Sequence, residues 1–258
     1  MVTLQTERFE LHMPPRRAGA VLDQDEEWCE IVMNGERQRI RLHDYAAIYN
    51  VPGLYEQLFA ERLQCTSPEI VCDLLGEQLD GAGARPATMA VLDFGAGNGM
   101  IGERLEQIGF GTIVGVDLLP EARAAALRDR PGVYDDYRAL DLTALHPLER
   151  AVLERHDFDC LACVAALGFG DVPQLAFAEA FNLVGSPGWL AFNLRDKIID
   201  EDCPDSFGGL IRRMLDEGVI EERARQQYTH RVSIAGEPLD YVAMVAAKHR
   251  DIPLDWVR

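Results

Sequence analysis

Asp93-x-Gly95-x-Gly97-x-Gly99 follows directly on the apolar run Val91–Leu92. Glycines in such a row let the backbone turn tightly and bring its amides against a ligand, because no Cβ opposes positive φ or close approach. A helix reads onward from about Asn98, and a helix N-terminus carries partial positive charge, so the corner suits the anionic end of a ligand. Twenty residues after Gly97 the run Thr112–Val116 ends in Asp117. A carboxylate at that strand tip can accept from two neighbouring sugar hydroxyls, each charged bond being worth about 1.5–3 kcal/mol.

A glycine turn alone is an ordinary tight turn; joined to Asp117, each behind its own strand, it points to a nucleoside-containing ligand. Gly97-x-Gly99-x-x-Gly102 also satisfies the dinucleotide fingerprint, which keeps an NAD(P)-dependent oxidoreductase open. Against that reading, Asp93 and Gly95 stand where apolar strand should continue, and no Tyr-x-x-x-Lys pair occurs. A phosphate-cradling Gly-Lys-Ser/Thr loop is absent too. Cys160-x-x-Cys163 invites a metal or redox reading, but residues three apart on a strand face opposite ways, and no second pair completes a zinc site. The six histidines are isolated in sequence and read as surface or satisfied core residues, except His43, which falls on a candidate lid. Asp171 and Arg195-Asp196 follow later strands, at the carboxyl ends where open α/β sheets bind ligands, so Asp171, Arg195 and His43 are candidate substrate contacts. No catalytic residue and no metal ligand is identified.

These residues need a scaffold, and the pattern supplies one. From Met89 onward apolar runs alternate with helical spacing: Met89–Phe94, Met100–Ile108, Thr112–Val116, Glu121–Leu127, Phe158–Val164, Pro173–Leu183 and Trp189–Leu194. Strands alternating with helices predict a parallel sheet covered on both faces. Ala224–Ile234 and Leu239–Ala247, joined by Ala-Gly-Glu-Pro, predict a terminal antiparallel hairpin. Upstream, Asn34-Gly35 between Cys29–Met33 and Glu36–Leu42 is a strong hairpin signal, because both residues tolerate the positive φ of a type I′ turn. Residues 43–80 carry helical spacing broken at Pro52-Gly53 and Ser67-Pro68, and Asp80–Pro86 reads as a hinge. The expected division is a β-appendage over 1–42, a helical lid over 43–80 and the ligand-binding domain over 81–258.

The 258 residues are 48% hydrophobic, enough for one substantial core, and the formal net charge is -18. That charge opposes adsorption to phosphate backbones and anionic membranes, so neither nucleic acid nor membrane is the expected partner. Met1–Glu10 is polar, and the longest apolar stretch, Leu161–Gly170, is too short to cross a bilayer; a cytoplasmic protein is expected. Six scattered cysteines read as reduced thiols, and Asp23–Glu27 as a solvated acidic loop.

Val-Leu-Asp-Phe-Gly-Ala-Gly-Asn-Gly over Val91–Gly99 resembles the first motif of class I, seven-stranded S-adenosylmethionine-dependent methyltransferases. Gly-Val-Asp-Leu-Leu-Pro-Glu over Gly115–Glu121 resembles their second. The resemblance spans roughly Thr88–His249. It implies a doubly wound Rossmann-like sheet ending in a reversed hairpin, and S-adenosyl-L-methionine as cofactor. It also implies cofactor contacts from Asp93, Gly95, Ala96 and Gly97, from Asp117 and Leu118, from Asp141 and Leu142 at the adenine, and from Cys163 on the fourth strand, Cys160–Leu167. Leu42–Tyr49 is similar to the helix that many small-molecule methyltransferases fold over the cofactor, with Tyr49 as the contacting tyrosine; the bland alternative is that Tyr45 and Tyr49 are half-buried helix residues. Phe158-Asp159 and Val172-Pro173 are most similar to the Williams–Beuren-region methyltransferase-like group, although Gly168-Phe169 replaces a Thr-His pair and no role for that histidine carries over. The fourth-strand sequence Cys163-Val-Ala-Ala lacks the Asn/Asp-Pro-Pro-aromatic motif of exocyclic base methylation, so a small-molecule acceptor is expected, with a noncatalytic S-adenosylmethionine-binding protein as a further alternative.

Overall fold

The computed structural model describes residues 9–14, 26–167, 172–197, 203 and 205–257. Ten strands form two sheets. β1 (Glu10–His12), β2 (Trp28–Met33) and β3 (Glu36–Arg41) make a small antiparallel sheet in the order β1-β2-β3. Its hairpin turns on Asn34 (φ 55°) and Gly35 (φ 83°), as the Asn-Gly pair predicts.

The large sheet holds β4 (Ala90–Phe94), β5 (Thr112–Asp117), β6 (Asp136–Ala139), β7 (Phe158–Cys163), β8 (Val184–Arg195), β9 (Ile220–Val232) and β10 (Pro238–Lys248). Its order is β6-β5-β4-β7-β8-β10-β9. The first five of these run parallel, and β10 is antiparallel to both β8 and β9. The doubly wound sheet with a reversed terminal hairpin therefore stands as expected. Successive strands step outward one way from β4 and the other way from β7, so a crevice opens between the carboxyl ends of these neighbours, the place where such sheets bind ligands.

Among the described residues seven α-helices surround the sheets: α1 (Tyr45–Tyr49), α2 (Ser67–Gly81), α3 (Met100–Ile108), α4 (Pro120–Asp129), α5 (Pro147–Glu154), α6 (Gln174–Asn182) and α7 (Phe207–Asp216). A wide π-helical turn, Glu56–Arg62, lies between α1 and α2. Leu92 and Phe94 of β4 point into the layer filled by Phe177 and Phe181 of α6 and Leu210 and Met214 of α7, while Val91 meets Leu75 and Leu79 of α2 and Leu105 of α3 on the other face. The alternation also separates Cys160 from Cys163, which lie in opposite layers and so hold no shared ion. Among the described residues no group of three His, Cys, Asp or Glu side chains could hold a metal.

Packing divides the 43–80 segment. Ile48, Leu54, Leu58 and Phe59 join the small sheet in one cluster, whereas Val71, Leu75 and Leu79 of α2 are core of the large sheet. The two parts of this segment therefore pack into different cores. The small sheet is anchored at its far side by Glu27, which is 1% exposed. Its Oε2 accepts from the Arg231 guanidinium at 2.7 Å and its Oε1 from the Ile234 amide at 2.6 Å. This corrects the reading of Asp23–Glu27 as a solvated loop: at Glu27 the charge is buried because a buried cation and a backbone donor meet it. Among the described residues no helix is long and apolar enough to cross a membrane.

Candidate functional site

β4 ends in a turn that only glycine relieves of strain. Gly95 (φ 76°) and Gly97 (φ 54°) are left-handed, and Gly99 (φ 90°) precedes α3. A Cβ on Gly95 would lie 2.8 Å from Ala166 Cβ, and one on Gly97 would lie 2.5 Å from the Tyr49 hydroxyl. The turn is thus pressed from both sides, by the residues after β7 and by α1. Tyr137 donates its hydroxyl to Gly97 O at 2.6 Å, and Asp117 Oδ2 accepts from Gly97 N at 2.9 Å. Asp117 Oδ1 takes the Leu119 amide at 2.9 Å. Burial pushes the Asp117 carboxyl up, opposed by the amides of Leu119, Gly97 and Leu118. Each carboxylate oxygen retains a second lone pair for a ligand.

The loop's exit is tied to the π-helical turn. Glu56 Oε1 accepts from Asn98 Nδ2 at 2.7 Å and from Arg130 at 2.8 Å, and Arg130 also donates to Asn98 O at 3.0 Å. This bridge carries Tyr55 and Phe59 over the crevice. Tyr45, Tyr49, Tyr55 and Phe59 form a continuous aromatic wall, with ring centroids 6.1 Å (Tyr45–Tyr49), 5.4 Å (Tyr49–Tyr55) and 4.6 Å (Tyr55–Phe59) apart. Burial holds the Tyr49 and Tyr55 hydroxyls well above their ordinary range, so both stay protonated.

Between wall and sheet lies a cavity of about 400 Å³, bounded by Gly95, Ala96, Gly97, Asp117, Leu118, Asp141, Leu142 and Tyr49 among others. Sequence and structure agree in bringing these together. Asp141 is mostly exposed at the rim; it caps the short turn Leu142–Ala144 through Thr143 N at 2.9 Å, and its bonds to Thr143 lower its carboxyl. His43 also lines the cavity, with its ring 5.8 Å from Tyr45.

Three expected contacts differ, and a fourth cannot be placed. Asp93 is 1% exposed and faces away from the cavity, because strand alternation turns it toward α3; its Oδ2 accepts from Tyr134 at 2.7 Å and its Oδ1 has no partner. Burial raises its carboxyl to about 7, against the Tyr134 bond. Cys163 is fully buried in the α6 layer for the same reason, and the cavity begins one residue later at Val164–Ala166. Arg195 sits beyond the lining, opposite Tyr241 on β10. Asp171 lies outside the described residues.

Sequence reading missed the support beneath Val164–Ala166. Ala165 is left-handed (φ 56°), and its amide donates to Asn193 Oδ1 at 2.6 Å. Asn193 Nδ2 donates to Ser67 Oγ at 3.0 Å and Tyr228 Oη at 2.7 Å, and Ser67 Oγ lies 2.6 Å from His230 Nδ1. Burial lowers His230 to about 3, so the ring is neutral and shares one proton-mediated bond with the Ser67 hydroxyl. Only the fold brings these together, since Asn193 and Ser67 are 126 residues apart.

Residues 92–192 match the methyltransferase domain family. Among solved structures, an S-adenosylmethionine-dependent methyltransferase from Anabaena variabilis is 16% identical with a TM-score of 0.54, covering 82% of this chain and 96% of that one. Another from Clostridium acetobutylicum is 13% identical with a TM-score of 0.52, covering 76% and 97%. At such identities the likeness shows the fold. A sequence search of curated proteins finds no match. The matched domain over residues 92–192 and the seven-stranded fold support S-adenosylmethionine-dependent methyl transfer. The site fits that cofactor: two glycines whose absent side chains leave the turn open, an acid at the second strand tip and a second acid at the rim.

Proposed function

We propose that the chain methylates a small-molecule acceptor in the cytoplasm, and that it stands nearest the Williams–Beuren-region methyltransferase-like group. The observation that carries this reading is the aromatic lining of the cavity by Tyr45, Tyr49, Tyr55 and Phe59, whose apolar faces suit a compact acceptor. The charge of -18 supports it by opposing polyanions.

S-adenosylmethionine supplies an electrophilic methyl group. In this reading the amides of Gly95, Ala96 and Gly97 and the start of α3 hold its amino-acid tail, Asp117 its ribose hydroxyls, and Asp141 and Leu142 its adenine. Tyr49 covers the tail from above. Val164–Ala166, clamped by Asn193, forms the wall beside the reactive centre. Methyl transfer of this kind gains most from alignment, up to about 7–11 kcal/mol, so the rigid turn and the aromatic wall matter more than any acid or base. In this reading the segment 43–80 acts as a lid on the domain that follows.

Asp117→Ala is expected to raise the dissociation constant for S-adenosylmethionine about ten-fold or more, measured by calorimetry, because a charged hydrogen-bond acceptor is lost. Unchanged affinity would refute the ribose assignment, and displacement of S-adenosylmethionine by equimolar NADH would refute the cofactor choice.

A further inference from the structure

The cavity lining includes residues that the cofactor reading leaves unused, Tyr55, Phe59, Ala60, Cys65 and Pro68, and this acceptor compartment carries no charged side chain. Phe59 and Cys65 are tied by the bond from Cys65 N to Phe59 O at 2.8 Å. Cys65 and Pro68 flank Ser67, whose hydroxyl reaches Ala165 through Asn193. Cys65 and Pro68 are therefore linked through Ser67 and Asn193 to Val164–Ala166, and Tyr55 and Phe59 line the same cavity.

No arginine or lysine lines the cavity among the described residues; its charged members are the carboxylates of Asp44, Asp117 and Asp141. The described cations at the end of β8, Arg195 and Lys197, are not among the residues that bound it. The cations nearest the glycine turn are engaged: Arg130 with Glu56 and Glu103, Arg128 with Asp129 and Tyr49 O, Arg123 with Tyr137 O. The N-terminus of α2 gives an anion no seat either. Pro68 has no N–H, Thr66 N is bound to His230 O, Ser67 N turns to the Cys65 thiol, and Glu69 places its own carboxylate in the first turn. An anion here would be desolvated without a partner, which is costly, while an aromatic ring would gain stacked and edge contacts of about 0.5–1.5 kcal/mol per pair.

We infer that this compartment takes a flat aromatic acceptor carrying no negative charge, its ring against Tyr55 and Phe59 and its nucleophilic atom facing Val164–Ala166. The inference rests on the methyltransferase reading above. The acceptor's lone pair forms the new bond to the methyl carbon as the carbon–sulfur bond breaks; that electron pair stays on sulfur, and the proton of the methylated atom passes to water.

The test uses the full chain, first titrated with S-adenosylhomocysteine and then, loaded with it, with four probes: tryptamine, tryptophol, indole-3-propionate and 2-cyclohexylethylamine. Tryptamine and tryptophol are expected to bind, indole-3-propionate about ten-fold more weakly than tryptophol, and the saturated amine about ten-fold more weakly than tryptamine. Phe59→Leu is expected to lower tryptamine affinity by a larger factor than S-adenosylhomocysteine affinity. Indole-3-propionate binding as tightly as tryptophol, absence of indole binding at millimolar concentration, or equal losses in the Phe59 variant would overturn the inference. Failure of the first titration would instead sink the cofactor reading.

Discussion

Gly97 has two obligations at once. Its φ of 54° is a conformation that side chains resist, and its missing Cβ leaves the space the Tyr49 hydroxyl approaches. Gly97→Ala is therefore expected to leave a folded chain whose affinity for S-adenosylmethionine falls about ten-fold or more, since both the turn and the covering tyrosine must shift. Binding by calorimetry together with an unchanged far-ultraviolet dichroism spectrum checks this; wild-type affinity in the variant would refute the close approach. Asp117 differs in kind. Its carboxylate already holds the turn through Gly97 N, so the residue proposed to read the sugar also fixes the amides proposed to read the tail.

At the scale of elements, the segment between the small sheet and α2 is held from two directions. The bridge from Glu56 to Asn98 and Arg130 fixes its inner end, and the pair Glu27–Arg231 fixes the small sheet to the β9–β10 hairpin. The Glu27 and Arg231 side chains are 2% and 6% exposed, so Glu27→Ala would leave a cation buried without its partner. A loss of about 3–5 kcal/mol is expected in urea unfolding. A loss under 1 kcal/mol would show that the small sheet docks by its apolar cluster alone. Restoration by Glu27→Ala combined with Arg231→Met would separate charge from packing.

At the scale of the whole molecule, two buried groups pull the pH dependence of stability in opposite directions. His230, at about 3 in the fold against 6.5 ordinarily, binds a proton more readily when unfolded, so its contribution is full above 6.5 and is lost as pH falls. Asp93, at about 7 against 3.8, binds a proton more readily when folded, so its contribution is full below 3.8 and is lost as pH rises toward 7. Between these limits the two slopes, each about 1.4 kcal/mol per pH unit, oppose one another. Asp93→Asn removes one slope and keeps an acceptor for Tyr134. Relative to wild type, the variant is expected to gain about 3 kcal/mol of stability between pH 5 and pH 8, read by denaturant midpoints at both values. A pH-independent difference would mean that Asp93 ionises in the fold as it does in water.

The sequence alone determined the local chemistry: Asn34-Gly35 its hairpin, Gly95 and Gly97 their turn, and Asp117 its strand tip, because each depends on φ preference or on two-residue periodicity within a few neighbours. The alternation of strands and helices likewise foretold the layers of the large sheet. It was silent on β6, four residues with two charges, and it passed over α7, although Phe207, Leu210, Ile211 and Met214 repeat at helical spacing. What the tertiary structure decided was direction and partnership. Side-chain alternation turned Asp93 and Cys163 away from the cavity that their motifs suggest. Burial paired Glu27 with Arg231 across 204 residues, and it joined Ser67, Asn193, Tyr228 and His230 from separate elements beneath Ala165. Those contacts depend on how sheets and helices pack, and no local pattern encodes which distant polar group will meet a buried one.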